Sequence, residues 1–148
     1  MPDKLGGEDV VQITFIMLKP GAVEKRLVGK ILARIEGEGM RIVALKAIKL
    51  GREEAERLYA VHKGKPFFRE LVDYITSGPV VVAVVEGADA VSAVRRLCGA
   101  TDPSEAGAGT IRGDYGVSIT KNAIHAADSA ESAGREIALF FKPDEILS

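Results

Sequence analysis

Apolar positions follow two different periods along this chain, and the switches between them mark its elements. VQITFIML (11–18) is rich in β-branched residues and predicts a first strand. From Leu27 the period changes. Val28, Ile31, Leu32 and Ile35 fall at i, i+3, i+4 and i+7, one apolar face of a helix, with Gly37 and Gly39 where a helix stop belongs. RIVALKAIKL (41–50) is a second strand candidate. Residues 52–76 read as two helical pieces divided at Pro66, the first carrying Ala55, Leu58 and Tyr59, the second Phe68, Leu71, Val72 and Ile75. Ser77-Gly78-Pro79 breaks the second piece, and VVVAVV (80–85) is the uninterrupted apolar run of a strand buried on both faces. Asp89 is placed to cap a further helix that turns Val91, Val94, Leu97 and Cys98 inward.

GATDPSEAGAGTIRGDYG (99–116) then runs without helical or strand period. Loops of that length are uncommon in compact domains unless they work or are disordered. A short strand is predicted from Tyr115 to Ile119, leading into NAIHAADS (122–129). Asp128, with Glu131 three residues on, resembles a capping box for a last helix, which buries Ala133, Ile137, Phe140 and Phe141 and stops at Pro143. The order is β-α-β-α-α-β-α-loop-β-α, and alternation on its own points to a parallel α/β sheet. Residues 1–9 read as a polar tail and 10–148 as a single domain, with no internal repeat.

Composition narrows the function classes. The chain has 148 residues, 47% of them hydrophobic and 28% charged, an ordinary soluble globular balance. A net charge of -1 and a pI near 6.1 offer no basic field for nucleic acid. One cysteine, Cys98, forms no internal disulfide and fits a reducing compartment. The N-terminal MPDKLGGEDVVQ lacks an apolar signal core, and no run approaches the roughly 20 apolar residues of a membrane span. A cytoplasmic protein without a membrane partner is the expectation.

His125 stands out because Ala123, Ala126 and Ala127 leave its ring approachable, and a neutral imidazole is a competent nucleophile. His62, beside Lys63 and Lys65, reads as solvated. Cations are spaced as a phosphate site needs them: Lys19 at the end of the first strand, Arg95 and Arg96 on the third helix, Arg112 in the long loop. Taken singly each is an ordinary surface charge. Neighbours in a helix point about 100° apart, so only one of Arg95 and Arg96 faces a common site. Thr101 and Asn122 add a hydroxyl and an amide. No Walker motif is present, so the residues by themselves lead only as far as a candidate phosphate site around His125.

Several segments together resemble the nucleoside diphosphate kinase family, from about Ile13 to Leu147. TFIMLKPGAV (14–23) is similar to that family's first strand and its K-P-D-[GA]-V turn. Tyr59 with Lys65-Pro66-Phe67-Phe68 resembles its helical hairpin, and SGPVVVAVVEG (77–87) its buried strand. The long loop ends in the family's T-I-R-G-D, and NAIHAADS resembles N-x-[IV]-H-[GA]-S-D-S, which carries the phosphorylated histidine. The last two motifs form a specific pair.

The resemblance implies a ferredoxin-like fold, a four-stranded antiparallel sheet covered by helices, with the helical hairpin and long loop inserted. It implies transfer of a γ-phosphoryl group from a nucleoside triphosphate to a diphosphate, ping-pong, with little regard for the base. His125 would be phosphorylated on Nδ1, and Glu136 would orient its ring. Lys19 would touch the γ-phosphate and ribose, Arg95 and Thr101 the β-phosphate, Arg112 the transferred group and Asn122 the ribose. Phe67 would stack on the base, and Tyr59 would lie close to the phosphates. Mg²⁺ would bridge phosphate oxygens rather than sit in a protein cage. A homo-oligomer is implied, with hexamer and tetramer both open because longer members continue past the position of Ser148. Two departures stand out: Gly21 where the family usually has Asp, and Ala127 where it usually has Ser. Ala127 alone favours an alternative, a catalytically weak relative that binds nucleotides and acts through protein contacts.

Overall fold

The computed structural model describes residues 11–147; the polar tail expected at 1–9 lies outside them. Four strands, β1 (Val11–Leu18), β2 (Arg41–Ile48), β3 (Val80–Ala88) and β4 (Ile124–Ala126), form one sheet in the order β2-β3-β1-β4. Every neighbouring pair is antiparallel. The register sets Leu18 against Val81 on one side of β1 and Met17 against His125 on the other.

This arrangement corrects the parallel sheet that alternation alone points to. Helix α2 (Val28–Gly37) does return the chain so that β2 runs parallel to β1. The two are not neighbours, because β3 fills the gap between them and runs against both, a split βαβ. Periodicity registers the crossover helix but carries no record of which strand slips between. The ferredoxin-like sheet implied by the resemblance is the one observed.

Both faces of the sheet are covered, so β1 and β3 are buried through most of their length. On one face Phe15, Met17, Val80, Val82 and Val84 pack with residues of α3 (Arg52–Leu58), α4 (Phe68–Ile75) and α7 (Ala130–Phe140). On the other, Ile16, Leu18, Val81, Ala83 and Val85 meet α2, α5 (Ala90–Cys98) and α6 (Ile111–Tyr115). A short helix, α1 (Pro20–Glu24), follows Lys19 with proline in its first turn, where no amide donor is needed. Cys98 is a free thiol in the second core.

Four local expectations change. The long loop contains α6, whose N-cap Thr110 accepts from the Gly113 amide at 3.0 Å. The loop is further pinned by Asp114, which accepts from the Gly109 amide at 3.0 Å and pairs with Arg34 of α2 at 2.7 Å. The strand expected over 115–119 is absent; Tyr115 ends α6, and the pairing strand is Ile124–Ala126. Val117 and Ile119 give the earlier stretch the stronger strand pattern, but the sheet register selects Ile124–Ala126, which lies opposite β1. The cap of α7 is Ser129, not Asp128: its hydroxyl accepts from the Ser132 amide at 3.0 Å. Asp89 occupies the cap position of α5 but in a left-handed conformation, φ 47°, with no side-chain cap. Gln12 supplies that acceptor instead, taking the Val91 amide at 3.1 Å.

Candidate active site

β4 pairs with β1 for three residues, and His125 is the middle one. Ring and carboxylate meet across the sheet edge: His125 Nε2 lies 2.9 Å from Oε1 of Glu136 on α7. An ionised carboxylate only accepts, so Nε2 is the protonated nitrogen. Nδ1 is thereby left with a free lone pair. Phe15 and Tyr59 hold the ring from two sides, edge-on at 5.9 Å and 5.3 Å between centroids. Ala127 is buried, and its amide donates to the Phe15 carbonyl at 3.1 Å. The His125–Glu136 contact forms without any hydroxyl at position 127. The second carboxylate oxygen of Glu136 faces Arg135 Nη2 at 3.6 Å, a partner the sequence did not single out.

The cleft in front of this ring holds about 340 Å³ and gathers nearly all the chemistry-bearing residues. Lys19, Tyr59, Phe67, Arg95, Thr101, Arg112, Asn122, His125 and Glu136 all line it, although they come from segments more than 100 residues apart in sequence. A larger groove of about 570 Å³ runs between α1, Tyr74 and Lys121, but it has neither histidine nor arginine. Convergent polar groups, rather than size, mark the binding cleft.

Three cations are fixed by different devices. Arg112 is buried at the start of α6, its guanidinium donating to the Ile124 carbonyl at 2.8 Å and the Gly99 carbonyl at 3.0 Å. Burial, with Arg95 nearby, lowers its pKa from the usual guanidinium value. Arg95 is exposed on α5 and donates to the Ala126 carbonyl at 3.3 Å, whereas Arg96 lines a separate shallow depression. Only one of the two faces the cleft, as helical geometry requires. Lys19 is buried, with Nζ donating to the Thr120 carbonyl at 3.1 Å. Burial first, then Arg112, pushes its ammonium down to about 7. Two buried cations and a third at the surface, all held by neutral carbonyls, suit an anion.

The remaining side chains carry unspent hydrogen-bonding capacity. Asn122 donates Nδ2 to the Thr101 carbonyl at 2.9 Å, while its Oδ1 is buried without a partner. The Tyr59 hydroxyl is likewise buried and unpartnered, and burial raises it far above the phenol range, so it stays protonated. Ala123 takes φ 80° between Asn122 and β4, and its carbonyl accepts the Lys19 amide at 2.9 Å. Left-handed alanine is strained, and here it locks the strand that bears His125 to the turn that bears Lys19. Phe67 is 41% exposed at the mouth, whereas Phe68 packs on the core. His62 corrects an expectation: it is half-buried in the cleft wall, stacked on Tyr59 at 6.0 Å, rather than solvated. Its spacing of three from Tyr59 was the available signal.

The nucleoside diphosphate kinase family model matches residues 12–146. The chain belongs to the nucleoside diphosphate kinase family. It is 54% identical over 138 residues to the nucleoside diphosphate kinase of Sulfurisphaera tokodaii, covering 93% of this chain and 94% of that one. It is 58% identical over 134 residues to that of Pelotomaculum thermopropionicum, covering 90% of each. Its fold matches the Aquifex aeolicus nucleoside diphosphate kinase with a TM-score of 0.91 at 48% identity, covering 93% and 99% of the two chains. The Halobacterium salinarum nucleoside diphosphate kinase, solved in complex with CDP, matches with a TM-score of 0.91 at 47% identity, covering 94% and 93%. The protein is therefore an enzyme of nucleotide phosphoryl transfer. Among the described residues no helix is long and apolar enough to cross a membrane.

Proposed function

We propose that His125 is the phosphoryl carrier and that Lys19, Arg95, Thr101, Arg112 and Asn122 hold the nucleotide against it. The observation that carries this is the ring itself: Nε2 engaged by Glu136 at 2.9 Å, Nδ1 free, in a cleft that Lys19, Arg95 and Arg112 also line. In the first half-reaction the Nδ1 lone pair attacks the γ-phosphorus in line. The bond from phosphorus to the β,γ-bridging oxygen breaks, and the diphosphate leaves with that electron pair. The ring becomes cationic as the N–P bond forms, and Glu136 stabilises it through the Nε2 proton. In the second half-reaction a β-phosphate oxygen of the acceptor attacks the same phosphorus, and the N–P pair returns to Nδ1. Donor and acceptor use one site in turn, which gives ping-pong kinetics.

Arg112 is set to meet charge on the transferred group, and Arg95 with Thr101 the β-phosphate. Lys19 spans γ-phosphate and ribose. The orphaned Oδ1 of Asn122 fits a ribose hydroxyl as donor. Tyr59 fixes the ring from its edge, and Phe67 offers its exposed face to the base, with no residue assigned to read a base edge. Mg²⁺ fits as an ion carried on the phosphates: no group of three metal-ligating side chains occurs among the described residues, and the cleft is cationic. Bound that way, it would neutralise phosphate charge. We place the enzyme in the cytoplasm as a single domain over 10–148. Exposed Leu45, Val117 and Ile119 support a homo-oligomer, to be sized as hexamer or tetramer by sedimentation.

The test is covalent labelling. Incubation with γ-labelled ATP and Mg²⁺ without acceptor is expected to leave an acid-labile, alkali-stable label on His125. Turnover by His125→Ala at the wild-type rate would overturn the assignment.

A further inference from the structure

A base platform needs support as well as an exposed face. Phe67 follows Lys63-Gly64-Lys65-Pro66, with Gly64 at φ 90°, and stands immediately before α4. With 41% of its surface exposed at the cleft mouth, it needs a support on its covered side. Its aromatic contact is His62, at 5.2 Å between centroids and a tilt of 60°. His62 in turn lies on Tyr59, nearly parallel at 28° and 6.0 Å, and Tyr59 meets His125 edge-on at 5.3 Å. Four rings thus form one unbroken series from the cleft mouth to the nucleophile.

Neither the carrier assignment nor phosphate binding uses His62. We propose that His62 is a positioning residue, the ring that fixes the Phe67 platform at a set distance from His125. The inference rests on the function proposed above.

The side chain's surroundings argue that it works as a neutral ring and not as a charge. Nδ1 is buried without a partner. A protonated imidazole would strand an N–H there, whereas the neutral Nε2–H tautomer leaves only a lone pair. The charged groups around it agree. Burial first, then Lys65 and His125, lowers its pKa against the opposite pull of Asp128, and so favours the neutral ring. The uncharged Tyr59 covers one face. A flat neutral ring between two aromatic neighbours is the element a stacking support needs.

The experiment compares a nucleotide donor with phosphoramidate, a phosphoryl donor that has no base. His62→Ala frees Phe67, so KM for ATP and ADP is expected to rise about tenfold while kcat holds within about twofold, the mark of lost uniform binding. Labelling of His125 by phosphoramidate is expected to stay within about twofold of wild type, since no base is involved. The purine-over-pyrimidine preference is expected to shrink, and His62→Phe to restore both KM and preference. Thermal melts check that each variant folds, with His62→Leu replacing the alanine variant if that one does not.

Three results would overturn the proposal: an unchanged KM in the alanine or leucine variant, phosphoramidate labelling slowed as much as ATP labelling, or rescue by His62→Gln but not His62→Phe. The second would move the effect to Tyr59 and His125, the third to a hydrogen bond. Failure of ATP to label even the wild type would instead sink the carrier assignment.

Discussion

If Lys19 meets phosphate as proposed, nucleotide binding must reverse the state in which the free enzyme keeps it, with a measurable proton uptake. Its ammonium is buried against a neutral carbonyl, 3.1 Å from the Thr120 oxygen, and titrates at about 7 instead of 10.5. At pH 8 about one Lys19 in ten is protonated before nucleotide arrives. A phosphate oxygen beside Nζ favours the charged form and restores protonation, so binding takes up about 0.9 proton at pH 8 and about 0.1 at pH 6. Above pH 7 the dissociation constant then rises towards about tenfold per pH unit. The terminal phosphate, with a pKa of about 6, is already dianionic at pH 8 and adds nothing there.

Calorimetric titration with ADP at pH 8, in two buffers of different ionisation enthalpy, reads the proton number directly. Lys19→Gln is expected to bring it below about 0.2, which controls for every other titrating group. A wild-type uptake under about 0.2, or an unchanged value in Lys19→Gln, would refute the argument. The sign for stability follows from the same numbers. Between pH 7 and 10.5 the unfolded chain holds more protons on this lysine than the folded one. Its contribution to nucleotide-free stability therefore rises with pH across that window. Lys19→Met is expected to stabilise the nucleotide-free protein at pH 7 by about 2–4 kcal/mol while abolishing turnover.

Gly113→Ala would drive a methyl group into the Gly107 and Ala106 carbonyls at the start of α6. We expect a loss of about 1–3 kcal/mol, read by thermal melting, together with a fall in kcat as Arg112 shifts. Ala127→Ser offers Glu136 a hydroxyl and is expected to raise stability by about 1 kcal/mol or turnover modestly. A loss in both would show that Arg135, 3.6 Å from the carboxylate, already meets that need. Purine and pyrimidine diphosphates are expected to differ in kcat/KM by only about 10–100-fold, because the proposed Phe67 platform would stack without reading edges. A preference above about 10⁴ would reveal a hydrogen bond to the base.

Much of the fold lay open in the pattern, because burial is what the pattern records. β1, α2, β2, α4, β3 and α7 all appear where apolar periodicity puts them. What failed was set by contacts distant in sequence. The Ile124–Ala126 strand exists because β1 lies opposite, and the identity of the α7 cap depends on which of Asp128 and Ser129 the backbone leaves extended. Gly21 shows the same dependence. Its amide donates to the Tyr74 hydroxyl at 2.8 Å, and a Cβ there would lie 2.5 Å from that oxygen. A tyrosine 53 residues away thus explains why a side chain at that turn forces Tyr74 to move.

The site divides along a different line. Residue types announced the chemistry, but only motif resemblance tied Lys19, Phe67 and Glu136 to His125, because no periodicity joins positions on separate strands and helices. Neither route reached the condition of those groups. Lys19 and Arg112 are buried together, Asn122 and Tyr59 hold buried oxygens without partners, and Ala123 keeps a left-handed backbone. Each is unfavourable for the nucleotide-free fold taken alone. On the function proposed above, a polyphosphate ester with a ribose would relieve most of them at once, its oxygens accepting from the cations and its hydroxyl donating to Asn122. The free energy withheld from folding reappears as affinity for that one class of ligand. On that proposal the same cleft would serve donor and acceptor in turn, because its polar groups address the phosphates and ribose they share, and the base they do not share would meet only aromatic surface.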